Sequence, residues 1–264
     1  MKYLRTFSTL GCPDFNLDEV LALAARFNLR GVELRCLGGT TDLPGWLAKT
    51  YGTPAELAAR LRESAVRVLA MDTSLKLAQR TAADQEVFLK FVPWAEALNI
   101  PQLRVFDGGV AADPAAPQQV AEGWRWWNEL RLKHGWRTDV MIETHDSLVD
   151  TPALLALIRE APGCSILWDS HHTWKKGGED PPATWAAIKS QVVHIHVKDS
   201  VSRPSARHPF TYVLPGEGEF PMAPLRAVLA GEFTGPVSLE WELLWHPYLP
   251  PIETALKQAA DGWW

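Results

Sequence analysis

The sequence predicts a (β/α)8 barrel, an α/β fold that forms one domain over residues 1–264. Runs of β-branched and apolar residues alternate with helical patterns eight times along the chain. No proline-, glycine- or serine-rich linker separates two halves. Alternation of strand and helix requires a parallel sheet with helical crossovers, and a barrel of this type takes about 250 residues.

Each predicted strand is a short apolar run, as expected for strands that are buried on both faces. In chain order, strands are predicted at residues 3–8, 31–35, 66–71, 103–106, 140–143, 165–169, 192–200 and 236–240. An open doubly wound sheet is the alternative arrangement. However, no strand is followed by a GxGxxG or GxxxxGK[ST] loop that would hold a nucleotide phosphate.

Helices are predicted between these strands, where apolar residues recur every three or four positions. Asp18 is expected to cap the first helix, and Pro93 should kink or break the helix over residues 83–98. The other helices are predicted from Pro54, from Pro114 to His134, from Thr151, around Trp185, around Leu225 and over residues 252–259. Residues 170–182 and 200–221 are predicted to be loops.

The composition favours a packed globular protein. Hydrophobic residues make up 47 % of the chain and charged residues 22 %, which predicts a core rather than disorder. The formal net charge is −5, and no cluster of five or more lysines and arginines occurs. We therefore expect no nucleic acid as a partner.

Cysteine usage and the N-terminus indicate the compartment. Cys12, Cys36 and Cys164 are odd in number, with no CxxC spacing, so a cysteine zinc site is excluded and a reducing cytosol is favoured. The N-terminus has no signal-peptide pattern, and no apolar run is long enough to cross a membrane. A cytoplasmic protein with no membrane partner is expected. The Trp-rich segments 124–136 and 262–264 could be packing or a homo-oligomer interface.

The seventh strand carries polar residues on one face. Because side chains alternate along a strand, His194, His196 and Lys198 share one face, and the other face carries Val193, Ile195 and Val197. Buried imidazole and ammonium groups are costly unless they have partners. Hydrogen-bonded core histidines are the structural interpretation, and a binding or catalytic site is the functional one. Lys198 could hold a substrate hydroxyl or phosphate, or pair with its neighbour in the sequence, Asp199.

Four successive strands end in groups that can bind a metal. The last residues of strands five to eight are Glu143, Asp169, His196 and Glu240, and strand ends converge at one mouth of such a barrel. Three carboxylates and an imidazole would repel one another without a cation between them. Oxygen ligands with one nitrogen suit Mn²⁺, Mg²⁺ or Co²⁺, with Zn²⁺ as a further candidate.

These residues also lie in segments that resemble a known family, the xylose-isomerase-like barrels. That family contains sugar and sugar-phosphate isomerases and epimerases, inosose dehydratases and endonuclease IV. The resemblance covers essentially the whole chain. It rests on Ile142-Glu143-Thr144-His145, Trp168-Asp169-Ser170-His171-His172, His194-Ile195-His196-Val197-Lys198-Asp199, Pro215-Gly216-Glu217-Gly218-Glu219-Phe220 and Ser238-Leu239-Glu240.

The resemblance implies that Glu143, Asp169, His196 and Glu240 are the metal ligands. His172 matches a family histidine that contacts the substrate or a metal-bound water. Arg203 lies where family ketose epimerases place a substrate-binding arginine. One position departs from those epimerases, which carry a second acidic residue six positions after the first glutamate. Here that position is Val149, with Asp146 or Asp150 as substitutes, and the departure argues against ketose epimerisation at that carbon.

The chemistry such a site supports begins with removal of a proton from a carbon next to a carbonyl. A divalent ion would offset the negative charge on the carbonyl oxygen, while Glu143 and Glu240 take and return the proton. The sequence thus predicts a metal-dependent isomerase or epimerase of a small sugar, sugar phosphate or polyol ketone. The alternatives are an inosose-dehydratase-type lyase, an endonuclease-IV-like nuclease and a non-catalytic sugar-binding barrel.

Overall fold

The computed structural model describes residues 2–264, and these contain ten strands. In chain order they are β1 (Leu4–Phe7), β2 (Gly31–Leu34), β3 (Arg67–Lys76), β4 (Gln102–Phe106), β5 (Asp139–Glu143), β6 (Ser165–Asp169), β7 (Val192–Val197), β8 (Asp199–Val201), β9 (Thr211–Val213) and β10 (Pro236–Leu239). All strands except β8 and β9 form one parallel sheet in the order β1-β10-β7-β6-β5-β4-β3-β2.

The two ends of this sheet come together to make a nearly closed barrel. Ser8, just after β1, pairs in parallel with Glu33 of β2. The hydroxyl of Thr6 donates to the carbonyl oxygen of Gly31 over 2.7 Å. The predicted (β/α)8 barrel is therefore confirmed.

Eleven helices and one short 3-10 helix (Thr9–Gly11) lie between the strands in the described part of the chain. The helices are α1 (Leu17–Arg26), α2 (Leu43–Tyr51), α3 (Pro54–Leu61), α4 (Ala82–Leu89), α5 (Val92–Leu98), α6 (Ala116–His134), α7 (Thr151–Glu160), α8 (Ser170–Lys175), α9 (Pro181–Ile188), α10 (Met222–Glu232) and α11 (Ile252–Ala260). No helix within residues 2–264 combines the length and the apolar character needed to span a bilayer.

Local capping explains where the helices differ from prediction. Asn16, not Asp18, caps α1 and forms a capping box with Glu19. The predicted break at Pro93, by contrast, is confirmed: residues 83–98 form the two helices α4 and α5, with Pro93 in the first turn of α5. Helix α8 lies where a loop was predicted, because the carboxylate of Asp169 accepts the backbone N–H of His172 and caps it.

The predicted seventh strand is shorter than residues 192–200. It ends at Val197, and β8 then forms an antiparallel hairpin with β9. The Asp199 carboxylate accepts backbone N–H groups from Gly216, Gly218 and Phe220. A Cβ at Gly218 would clash with the Asp199 carboxylate and would lie 2.7 Å from the backbone carbonyl oxygen of Ser200, so glycine is required there. These hydrogen bonds fix the loop that follows β9 against β8.

Inside the barrel an apolar layer lies beneath a polar one. Ala70, Met141 and Leu167 form the apolar layer, and Val193 packs against it. Val193 was predicted on the face opposite His194 and His196, and that prediction was wrong: β6 pairs Ile166 with Val192 but Leu167 with His194. The extra residue is a bulge, which lets Val193 pack inward. Because strand side chains alternate, residues two positions further along β3, β5 and β6 form the polar layer.

Candidate active site and metal centre

A cavity of about 590 Å³ opens at the carboxyl ends of the barrel strands. Charged and aromatic side chains from the strand ends and the loops that follow them dominate its lining. They include Arg35, Arg104, Phe106, Glu143, His145, His172, Lys176, Arg207, His208, Tyr212, Glu240, Glu242, Trp245 and His246. A polar pocket at this end of a barrel is the usual position of a catalytic site in this fold.

Four residues at the ends of the last four barrel strands, β5, β6, β7 and β10, meet at the base of this cavity. One ligand atom from each of Glu143, Asp169, His196 and Glu240 lies within 4.8 Å of the others; we call these four residues the strand-end cluster. Nδ1 of His196 is 3.3 Å from Oε1 of Glu240 and 3.8 Å from Oε1 of Glu143. Asp169 and His196 are fully buried, whereas Glu143 and Glu240 line the cavity.

A carboxylate from β2 orients the imidazole of His196. Oε1 of Glu33 lies 2.7 Å from Nε2 of His196, and Oε2 of Glu33 lies 2.8 Å from Nε2 of His194. Nδ1 of His196 has no hydrogen-bond partner in the described structure and faces the carboxylates of the strand-end cluster. This is the arrangement by which a carboxylate fixes the tautomer of a metal-binding histidine. The donor set therefore fits a divalent ion.

Lys198 lies behind the cluster and is buried. Its Nζ is 2.7 Å from Oδ2 of Asp169 and 2.8 Å from Oε1 of Glu242, and it contacts Oε2 of Glu240 directly. Lys198 does not pair with Asp199, whose carboxylate points to the loop after β9, nor does it line the cavity. The structure thus places Lys198 against carboxylates rather than at a substrate surface.

The electrostatics of the cluster indicate an excess of buried negative charge. Burial raises the pKa values of Glu143 and Asp169 despite the opposing charges of Arg104 and Lys198. Burial also opposes ionisation of Glu240, but the charges of His196 and Lys198 hold its pKa well below its usual value. Despite burial, the carboxylates of Glu240 and Glu33 raise the pKa of His196 well above its usual value. A cation at the cluster would relieve this imbalance.

His172 and His145 also line the cavity. Nδ1 of His172 is 3.1 Å from Oδ2 of Asp169. His172, which was predicted to contact the substrate, therefore lies beside the strand-end cluster. Nδ1 of His145 is 2.8 Å from Oδ1 of Asp146, and His145 was singled out in the sequence only as part of a motif. Asp107 fixes the loop that follows β5, because its carboxylate accepts hydrogen bonds from the backbone N–H groups of His145 and Asp146.

The structure does not bring Arg203 to the cavity. Arg203 is exposed on the hairpin between β8 and β9, and Arg207 lines the cavity instead. Neither substitute for the acidic residue replaced by Val149 reaches the cavity either. Asp146 pairs with His145 and Lys76, and Asp150 caps α7.

Several cavity residues were not identified from the sequence. Glu242 follows Glu240 by two positions, and the alternation of an extended chain was the signal that could have found it. His208, Trp245 and His246 come from irregular loops. No local pattern marks such residues, because their positions depend on how the loops fold over the barrel.

Comparison with known proteins gives a family and a fold. A family model described as a xylose isomerase-like TIM barrel matches residues 21–264. No curated protein matches the sequence. The solved structures that resemble the chain include the probable 3-DHS dehydratase AsbF from Bacillus anthracis, at 18 % identity and a TM-score of 0.77 over 97 % of this chain and 98 % of that one.

Two other similar structures differ in their described activity or bound ion. The IolI protein with a bound zinc atom is 16 % identical, with a TM-score of 0.75 over 98 % of this chain and 97 % of that one. An AP endonuclease of family 2 from Brucella melitensis is 18 % identical, with a TM-score of 0.66 over 98 % and 97 % of the two chains. At these identities the likeness shows the fold, and function has to be argued from the site.

Proposed function

Because the chain belongs to the xylose isomerase-like TIM-barrel family, we propose that it is a divalent-metal-dependent isomerase or epimerase. Its substrate is a small sugar, sugar phosphate or polyol ketone. The observation that carries this proposal is the convergence of Glu143, Asp169, His196 and Glu240 at the base of one cavity. Members of the family are enzymes, but fold alone does not choose among their reactions.

In this proposal the strand-end cluster holds the ion, with Nδ1 of His196 as the nitrogen ligand. When bound, a divalent ion supplies Lewis-acid stabilisation of negative charge on the substrate carbonyl oxygen. Mn²⁺, Mg²⁺ and Co²⁺ suit the oxygen-rich set, and the zinc atom in the similar IolI structure keeps Zn²⁺ among the candidates.

The side chains of this protein move the proton. Glu143 and Glu240 come from β5 and the end of β10 and both face the cavity, whereas Asp169 is buried behind them. One carboxylate removes the proton from the carbon next to the carbonyl, and the other returns it. Nε of Arg104, 3.2 Å from Oε2 of Glu143, orients one carboxylate, and Lys198 holds the other. The cavity thus presents two positioned bases to one substrate carbon.

A lyase reaction of the inosose-dehydratase type is the second candidate. It begins with the same proton abstraction and continues with loss of a hydroxyl group, which needs a proton donor. His145 lines the cavity. Despite burial, its hydrogen bond to Asp146 raises its pKa. The raised pKa favours the protonated imidazole, which can act as the proton donor. The similar AsbF structure is described as a probable dehydratase.

The experiment is proton exchange in deuterated solvent. Metal-free protein reloaded separately with Mn²⁺, Mg²⁺, Co²⁺ or Zn²⁺ is incubated with a panel of ketoses, sugar phosphates and inososes, followed by NMR. Deuterium incorporation without dehydration supports the isomerase or epimerase, and an unsaturated product supports the lyase. No exchange with any metal contradicts both, and nicking of abasic DNA would favour the nuclease alternative. Glu63→Gln, at an exposed position, is the matched control for Glu143→Gln and Glu240→Gln.

A further inference from the structure

Arg35 is a nearly buried cation on the cavity wall, and its nitrogen atoms contact no carboxylate of the described residues. Its side chain follows β2, and the residue is 6 % exposed. NH1 donates to the carbonyl oxygen of Asp72 over 3.4 Å, and NH2 donates to the hydroxyl of Ser74 over 2.9 Å. Both acceptors are neutral. Among residues 2–264, no carboxylate oxygen lies within 4.0 Å of the Arg35 guanidinium.

The second guanidinium of the cavity, that of Arg104, is paired. Its nitrogen atoms lie 3.2 Å from Oε2 of Glu143 and 3.6 Å from Oδ2 of Asp72. The two arginines are close enough to repel each other: burial and the charge of Arg104 lower the pKa of Arg35 to about 10. A buried charge without a counter-ion is unfavourable. An anion bound in the cavity beside Arg35 would remove this cost.

The rim of the same cavity adds two exposed cations, Lys176 and Arg207. The Nζ of Lys176 donates to the carbonyl oxygen of His145 over 3.2 Å, and neither rim cation forms an ion pair within the described residues. The chain as a whole has a net charge of −5. Cations at the mouth of a cavity in an otherwise acidic protein attract anionic ligands.

We propose that the substrate is an acidic keto compound whose oxyanion group, a carboxylate or a phosphate, binds to Arg35. The remaining guanidinium N–H groups of Arg35 are the donors, and their planar fork matches a carboxylate or phosphate oxygen pair. Glu143 and Glu240 then face the carbonyl end of the same molecule, while Lys176 and Arg207 attract it to the mouth. This inference rests on the proposed function, which supplies the carbonyl end.

The test measures binding rather than turnover. Isothermal titration calorimetry on the metal-loaded protein compares D-fructose with D-fructose 6-phosphate and 5-keto-D-gluconate, which separate the neutral, phosphate and carboxylate cases. At least one anionic ligand is expected to bind about tenfold or more tightly than fructose, since charge-assisted hydrogen bonds are the strong ones. Arg35→Gln should abolish that preference and Arg35→Lys should keep part of it. Arg62→Gln, exposed after α3 at the opposite end of the barrel, should change nothing.

Two outcomes overturn the inference: equal affinity of the wild-type protein for all three ligands, or an anion preference that survives in Arg35→Gln. Circular dichroism checks that the variants fold. If Arg35→Gln does not fold, the comparison of ligands with the wild-type protein and with Arg35→Lys still tests the inference. Proton exchange on neutral ketoses without any anion preference contradicts this inference and leaves the proposed function standing. Anion preference without proton exchange on any ketose supports this inference and contradicts the proposed function.

Discussion

Oε1 of Glu33 lies 2.7 Å from Nε2 of His196, although the two residues are 163 positions apart in the sequence. This contact joins the second strand of the barrel to the seventh. It occupies one ring nitrogen of His196 and directs the other, Nδ1, at Glu143 and Glu240. The geometry of the strand-end cluster therefore depends on a residue outside it.

Removing the charge of Glu33 should weaken metal binding. In Glu33→Gln the side chain no longer fixes the tautomer of His196 as a carboxylate does, and the affinity for Mn²⁺ or Co²⁺ should fall by about 10- to 100-fold. Calorimetric titration of metal-free protein measures this, with Glu63→Gln as the control. Unchanged affinity would mean that Glu33 does not position the ligand.

A pair of histidine variants separates two arrangements of metal ligands. Glu33, His194 and His196 also lie close enough to hold an ion, but we propose the strand-end cluster as the site. His196→Ala should then abolish tight binding, and His194→Ala should lower it by less than about tenfold, because His194 acts only through Glu33. Equal loss in both variants would instead favour the Glu33 arrangement.

Neutralising either cavity carboxylate should separate turnover from binding. In Glu143→Gln and Glu240→Gln, proton exchange should slow by about 10²- to 10⁴-fold because a positioned base is lost. Metal content is measured in parallel and saturated before each assay. Affinity for the substrate should change far less than the rate. If the wild-type protein shows no turnover and the variants change only in their affinity for the sugar, the non-catalytic sugar-binding barrel is favoured instead.

Lys198 should be needed most when no metal is bound. Its ammonium compensates Asp169, Glu240 and Glu242 in a buried environment. Lys198→Met should lower the free energy of unfolding by about 3–5 kcal/mol in metal-free protein, since it leaves buried carboxylates unpaired. Saturating Mn²⁺ should restore part of this loss, as shown by urea unfolding with and without the ion. If the ion restores nothing, the carboxylates and the ion do not share a site.

Cys164 should make the protein less stable at alkaline pH. Burial raises the pKa of its thiol from 9.0 to about 12, so the native state disfavours the thiolate. The contribution is complete below pH 9 and is lost as the pH rises toward 12, because the unfolded chain ionises first. The loss reaches on the order of 4 kcal/mol. Unfolding free energies of Cys164→Ala should therefore fall less steeply between pH 9 and 11 than those of the wild type, and parallel slopes would contradict this.

The sequence alone was sufficient for the alternation of eight strands and helices and for the residues that end the last four barrel strands. Both are local properties. The two-residue period of a strand places His194 and His196 on one face without reference to the rest of the chain. The same local signals show why Pro93 breaks a helix. They could not show the bulge at Val193, since a bulge exists only relative to the neighbouring strand.

Only the tertiary structure decided which partners these residues meet. Closure of the barrel brings Glu33 to His196, and it places Lys198 against Asp169 rather than beside a substrate. It also leaves Arg35 facing the cavity without a carboxylate, which no pattern around residue 35 indicates. In a regular strand the direction of a side chain follows from the local two-residue period, whereas the partner that a buried charge finds depends on strands that are far apart in sequence. The chemistry proposed for this protein depends on those long-range contacts between strands.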